Sequence, residues 1–217
     1  LPERTYSHPE TTAKYYRVSL TPPVVDPSAP LIDDLGRPRP RPTRFEIAEL
    51  EFHPAPRVHH WQEKAAFANV KDVEAVPTPP VPAGAAVDLG SVIDLTNRLR
   101  PDGSITWDAP PGRWQILRLG YSLTGKKNHP APPESTGYEV DKLSRRHVES
   151  YLRHYVGLVS DAVGDQLGGS LRYFLLDSWE AGFENWTDDM VVDFRTRRGY
   201  DPIPYLPVLT GRVVGSA

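Results

Sequence analysis

The sequence predicts an α+β fold, with an antiparallel β-sandwich-like region over residues 1–124 and a helix, a strand and a second helix over residues 125–217. Three observations carry this reading. Between Val92 and Tyr121, short apolar runs are separated by the turn tripeptides Pro101-Asp102-Gly103 and Pro110-Pro111-Gly112, the punctuation expected between strands of a sandwich or jelly roll. Val148, Tyr151, Leu152, Tyr155, Val156 and Val159 recur at steps of three and four, which lays one apolar stripe along a helix. Tyr173, Phe174, Leu175 and Leu176 then form an unbroken apolar run. A run with no polar face suits a strand covered on both sides.

In the first region, Tyr15 to Leu20 has strand composition and is ended by Pro22, Pro23, Pro27 and Pro30. Leu31 to Pro42 is rich in Pro, Arg and Asp with little to bury, so it is expected as a surface loop or linker. Phe45 to Phe52 nearly alternates, with a shift after Ile47 that would be a bulge in a half-wet strand. His53, His59 and His60 make the densest histidine group, beside Trp61. A metal site is the sharp reading there, but neighbouring histidines on extended chain face opposite ways and no carboxylate stands at a ligand spacing. Lys64 to Ala68 suits either a helical turn or a strand, and Ala86 to Asp94 reads as a further strand after the prolines of Pro77 to Pro82.

In the second region, Lys126 to Asp141 gathers Asn128, His129, Glu134, Glu139 and Asp141 with three prolines, as a linker or a pocket wall. Ser144 is placed to cap the helix, with Leu143 and Val148 as a hydrophobic staple. His147 and His154 then fall at its surface or edge. After the apolar run, Asp177, Ser178, Trp179 and Glu180 follow at once, and Gly182 marks a turn. Polar groups at the carboxyl end of a covered strand are where α/β proteins bind ligands, although Asp177 and Ser178 would equally cap a turn. Thr187 is placed to cap the last helix, with Arg195, Arg197 and Arg198 in its final turn and Gly199 beyond it.

Composition narrows the function classes. The chain is 39% hydrophobic and 24% charged with a net charge of -3, and its arginines concentrate only in 37–44 and 195–198, so no nucleic-acid surface is expected. No run has the length and apolarity of a membrane span. The absence of cysteine excludes disulfides and thiolate metal sites. With no initiator Met and no signal peptide, the opening LPERTYSHPETTAKYYRVSL is expected to start a processed form or an excised piece of a longer protein.

Three separated motifs resemble one family: PPGRWQILRLGYSLTGKKNHPAPPESTGYEVDKLS, LLDSWEAGFENWT and FRTRRGYDPIPYLPVLTGRVVGS, spanning about Pro110 to Ser216. They resemble the central region of glycoside hydrolase family 106, the α-L-rhamnosidase family. The resemblance implies a β-rich insert followed by part of a (β/α)8 catalytic barrel, so that 1–124 would be the insert domain and 125–217 the partial barrel segment. It also implies hydrolysis of terminal α-L-rhamnosides with inversion, a calcium ion, a rhamnose-containing glycoside as partner, and a secreted or periplasmic bacterial setting. No organic cofactor is implied.

Matching DSWEAG to the family motif makes Glu180 the expected general acid. Its pKa would need raising by neighbours such as Trp179 and Asp177. Trp179 and Trp186 could stack on a sugar face or pack beneath the loop. Asn128, His129, Asp141 and Asn185 match family positions and would bind sugar hydroxyls or brace the loops. Glu139, Asp141, Asp177 and Glu184 are calcium candidates, without binding-loop spacing. Inverting hydrolysis takes two carboxyl groups about 6.5 to 9.5 Å apart. The second is expected beyond Ala217, so the isolated piece should be nearly inactive. The alternative is a non-catalytic carbohydrate-binding module using Trp61 or Trp107.

Overall fold

The structure, a computed structural model, describes residues 3–21, 46–68, 72–175, 179 and 181–216. By its contacts the chain divides into two units, one formed by Leu1–Pro9 with Pro56–Ala217 and the other by Glu10–Ala55. The described residues of the larger unit form three α-helices: α1 (Trp61–Lys64), α2 (Arg145–Val163) and α3 (Met190–Arg198). Single 3-10 turns stand at Leu89–Ser91, Thr96–Arg98, Pro133–Ser135 and Gly164–Gln166, and a longer 3-10 helix runs over Ile203–Thr210.

The centre of this unit is built from segments far apart in sequence. Val58 N–H donates to Gly211 O at 2.9 Å, Val87 N–H to Val213 O at 2.9 Å and Gly215 N–H to Val87 O at 2.9 Å. Val213 and Val214 are buried among these bonds. Trp61 lies directly on Gly211, which ends the long 3-10 helix with φ +79°. On the other side of α1, Gln62 bonds both the backbone N–H and the hydroxyl of Thr5, at 3.1 and 2.9 Å. Ser7 N–H donates to His59 Nδ1 at 2.9 Å. A four-residue helix has almost no stability of its own. These ties, with the Trp61 ring, fix α1 in place.

The sequence signals for α2 are met. Ser144 is its N-cap, the hydroxyl accepting from His147 N–H at 3.4 Å, and Gly164 ends it. The apolar stripe is formed but only partly covered: Val148, Val156 and Val159 are partly buried, while Tyr151, Leu152 and Tyr155 are each about half exposed. Tyr151 stacks on Tyr155, and Tyr155 meets Phe174 edge-on at 6.1 Å. α3 ends as expected, with Arg195, Arg197 and Arg198 in its last turn and Gly199 at φ +78°. Its start differs. Thr187 donates its hydroxyl to Asp141 instead of capping, and Asp189 takes the N-cap position.

The predicted fold class is overturned. The described residues form no strands, only isolated bridges such as Arg57 to Arg212, Leu99 to Ile105 and Lys127 to Tyr138. Neither the antiparallel β-sandwich-like insert nor the helix-strand-helix portion of a (β/α)8 barrel is present in them. The physical reason is that strand composition makes a strand only where a neighbour completes its hydrogen-bond ladder. The turns form as read: Gly103 N–H bonds Arg100 O and Arg100 N–H bonds Ser104 O, and Trp114 Nε1 donates to Pro110 O at 2.8 Å. The runs beyond them find no ladder. Ile116, Leu119, Tyr121 and Leu123 stay exposed. The apolar run of 173–176 fares likewise, with Tyr173 85% and Leu175 91% exposed, while Leu176 lies outside the described residues.

In the smaller unit, the described residues of the expected strands at 15–20 and 45–52 are also irregular, and Tyr16 and Phe52 meet as tilted rings 5.6 Å apart. The loop read at 31–42 lies outside the described residues.

A side chain at Gly211 would place Cβ 2.6 Å from Trp61 Cδ1 at a left-handed backbone position. Gly199 has the same backbone sign and nothing within 4 Å of such a Cβ. Gly211→Ala is therefore expected to destabilise by about 3 kcal/mol and Gly199→Ala by about 1 kcal/mol, as read from the difference in chemical denaturation midpoints. Equal costs would show that Trp61 gives way freely.

Candidate active site

The loop over 179–187 is held by residues around Asp141 and Lys142. Asp141 sits in an Asx turn, its Oδ1 accepting from Leu143 N–H at 2.9 Å, while its Oδ2 accepts from the Thr187 hydroxyl at 2.6 Å. Lys142 N–H donates to Glu184 Oε2 at 3.1 Å. The Lys142 ammonium bonds Glu139 Oε2 and stands 5.8 Å from the centre of the Trp179 ring. Trp179 Nε1 donates to Gly182 O at 2.9 Å, and Ala181 is buried. Both ends of the loop are thus tied to the segment just before α2.

Two of the expected site residues, Glu180 and Asp177, lie outside the described residues. Of the others, Trp179 and Asp141 come together in this network. Asn185 stands on the same loop, but its Nδ2 donates to Ala65 O at 2.9 Å and so ties the loop to the end of α1. Trp186 is half-buried against Tyr121, with ring centres 6.3 Å apart. Asn128 braces its own loop: Oδ1 accepts from Gly137 N–H at 2.7 Å and Nδ2 donates to Ser135 O at 3.0 Å. His129 is exposed at the head of that loop. The loop at 126–141 therefore walls the site at its base through Glu139 and Asp141.

Beside the 179–187 loop lies an open depression of about 450 Å³, lined by Phe67, Thr124, Gly125, Lys126, Ala181, Gly182 and Phe183. Phe67 and Lys142 are the residues that sequence reasoning missed. Phe67 reaches the depression from the first half of the chain, held edge-on to Trp61 at 5.9 Å. No local pattern marks it. Lys142 follows an Asx-turn residue and precedes a helix cap, a combination that fixes a side chain's direction and was legible.

Of the calcium candidates, Glu139, Asp141 and Glu184 are each engaged by hydrogen bonds or an ion pair, and Asp177 lies outside the described residues. Both Asp141 oxygens accept hydrogen bonds, Glu184 Oε2 is taken by Lys142 N–H, and Glu139 faces the Lys142 ammonium. Among the described residues no three His, Asp or Glu side chains are placed to hold a metal. That includes the histidine pair. His60, at φ +52°, turns its ring to within 4.3 Å of His59, but His59 Nδ1 serves Ser7 and His60 Nδ1 pairs with Glu63 at 3.3 Å. Burial pushes the His59 pKa down, helped by His60 and Lys64. Trp61, one platform of the binding-module reading, is spent on Gly211, and Trp107 packs edge-on to Trp114 at 5.1 Å.

Burial raises the Glu184 pKa above the ordinary glutamate range. The Lys142 N–H bond opposes this, and Asp141 and Glu139 add to it. A carboxyl whose folded-state pKa is raised supports folding fully below its unfolded pKa and loses that support as pH rises through the folded value. Glu184→Gln keeps an oxygen for Lys142 N–H and removes the titration. The variant is expected to gain stability relative to the parent above the ordinary glutamate pKa and to show a flatter stability profile there, measured by melting temperature against pH. A profile parallel to the parent's would remove Glu184 from the pH dependence.

Comparison with known proteins places this geometry. Residues 5–217 match the sequence profile of glycoside hydrolase family 106, described as alpha-L-rhamnosidase. The chain is similar to a solved rhamnosidase structure from Novosphingobium sp. PP1Y, at 43% identity with a TM-score of 0.67 over 76% of this chain and 16% of that one. It is also 36% identical over 182 residues to a Formosa agariphila protein whose name reads "Putative beta-glucuronidase", covering 84% of this chain and 15% of that protein. The chain thus spans about one sixth of the length of each. With the match running over nearly its entire length, this chain belongs to glycoside hydrolase family 106.

Proposed function

We propose that this chain is the part of an α-L-rhamnosidase that supplies the proton donor, Glu180, for cleavage of terminal α-L-rhamnosides. The observation that carries the reading is the family match over residues 5–217, with 43% identity to a rhamnosidase across three quarters of the chain. The motif around Glu180 supports the assignment, since a donor must stand beside the leaving oxygen. The described neighbours in sequence support it only in outline: Ala181 is buried, Trp179 Nε1 donates to Gly182 O, and residues 181–183 line part of an open depression.

In this reading the Glu180 carboxyl protonates the glycosidic oxygen as the bond to the anomeric carbon breaks. A second carboxylate takes a proton from the attacking water on the opposite face, and the configuration inverts. The described carboxylates that brace the loop are already engaged. Asp141 and Glu184 are engaged by backbone and hydroxyl donors, and Glu139 by an ammonium. Residues 1–217 alone are accordingly expected to release little or no rhamnose.

The names of the two relatives point to different sugars, so the test compares them. The full-length polypeptide is assayed on an alkyl α-L-rhamnoside and the matching β-D-glucuronide. Turnover of the rhamnoside alone is expected, with Glu180→Gln lowering kcat/KM by about 10²- to 10⁴-fold. Near-normal turnover by Glu180→Gln on the alkyl substrate would take the acid role from Glu180. Turnover of the glucuronide alone would replace rhamnose as the substrate.

A further inference from the structure

We propose that the depression lined by Phe67, Lys126 and Phe183 is a subsite for a sugar ring that carries an anionic substituent, a carboxylate or a sulfate. The inference rests on the reading of the chain as part of a glycoside hydrolase only in taking a sugar as the ligand. Every residue lining the depression belongs to the described part of the chain.

The lining divides by chemistry. Phe67 and Phe183 bring two aromatic rings that are each about half exposed, and Phe67 is steadied edge-on against Trp61 at 5.9 Å. A pyranose is apolar on its C–H face and polar around its rim, so it covers such rings while its hydroxyls stay wet. The backbone beside them is bare. Gly125 and Gly182 take left-handed φ of +75° and +78°, and at neither would a Cβ meet an atom within 4 Å, which lets a flat ring come close to the chain. The Thr124 hydroxyl accepts from Lys126 N–H at 3.2 Å and keeps its own O–H to donate. The volume, about 450 Å³, falls within the range of ligand clefts, about 300–1,000 Å³.

Lys126 selects the charge. The residue is half-buried, and among the described residues that line the depression none is acidic. Its ammonium has no carboxylate or other acceptor among the described residues. The nearest candidates by sequence and backbone pairing are already committed. Glu139, whose backbone N–H bonds Lys126 O at 3.0 Å, gives its Oε2 to Lys142, and Glu184 Oε2 accepts from Lys142 N–H. A lysine ammonium brings three donors and a full positive charge, and its hydrogen bond to an anion is about twice as strong as a bond between neutral groups. A neutral sugar is held here by the rings and the hydroxyl. An acidic one gains the ion pair as well, so Lys126 decides which is preferred.

The test is calorimetric binding to the full-length polypeptide of methyl α-D-glucopyranoside, methyl α-D-glucuronide and methyl α-D-glucopyranoside 6-sulfate, which share one ring and differ only in the exocyclic group. The anionic probes are expected to bind about 5- to 20-fold more tightly than the neutral one, and the tighter of them identifies carboxylate or sulfate as the preferred group. The preference should shrink as salt is raised. Lys126→Met, which keeps the stem and removes the charge, should bring both anionic probes to within about twofold of the neutral glycoside. Lys126→Arg should retain the preference. Phe183→Ala should weaken all the probes together, by about 3- to 10-fold. Equal affinity of the parent for all the probes, no binding of any of them, a preference unchanged in Lys126→Met, or parent-like binding by Phe183→Ala would each overturn the proposal. Turnover of the alkyl α-L-rhamnoside by the parent reads the rhamnosidase assignment separately. Turnover without an anion preference removes this subsite alone; an anion preference that depends on Lys126, without turnover, removes the rhamnosidase assignment and leaves the subsite.

Discussion

The larger unit depends on the seat of Trp61 over Gly211. Neither residue could do this with another partner. The indole needs a flat, open patch of backbone, and the chain can offer one only where a glycine takes a left-handed turn with no Cβ in the way. That contact joins α1 to the end of the long 3-10 helix and brings Val58, Val87 and Val213 to Gly215 into bonding distance. Two parts of the site follow from it. Phe67 reaches the depression because it packs on Trp61, and Asn185 anchors the 179–187 loop on the carbonyl of Ala65 just beyond α1.

Electrostatics set the second constraint. Glu139, Asp141 and Glu184 crowd one place with the Lys142 ammonium among them, and the pKa of Glu184 is raised first by burial and further by Asp141 and Glu139. Each of the three is held by a donor: a lysine ammonium, a backbone N–H, or a hydroxyl with a backbone N–H. The cluster therefore works as a brace for the loop.

Local signals in the sequence were reliable where local physics decides. Ser144 caps α2, Gly199 ends α3, and the turns around Gly103 and Pro110 close as their residues require. Strands were misread because Ile116, Leu119, Leu123, Tyr173 and Leu175 carry β-type composition without a neighbouring segment to share hydrogen bonds. Composition cannot reveal whether that neighbour exists. The family was legible from three motifs, since a motif records chemistry that local sequence encodes. The residues that shape the site from afar were not: Phe67 joins residues 181–183 only through the tertiary fold, while Asn128 and Asn185, read as sugar ligands or loop braces, make hydrogen bonds that hold loops.

The seat of Trp61 also bears on how the chain is made. Arg57 bonds Thr210 O across 153 residues, and Thr5 bonds Gln62 across 57. A centre assembled from such distant partners forms late, because loop closure must be achieved before any of its contacts reward it. During synthesis from the amino end, α1 is complete about 150 residues before Gly211 exists to receive it. Through that interval Trp61 and Phe67 are exposed to solvent and to other nascent chains. That exposure ends only when the turn at Gly211 forms.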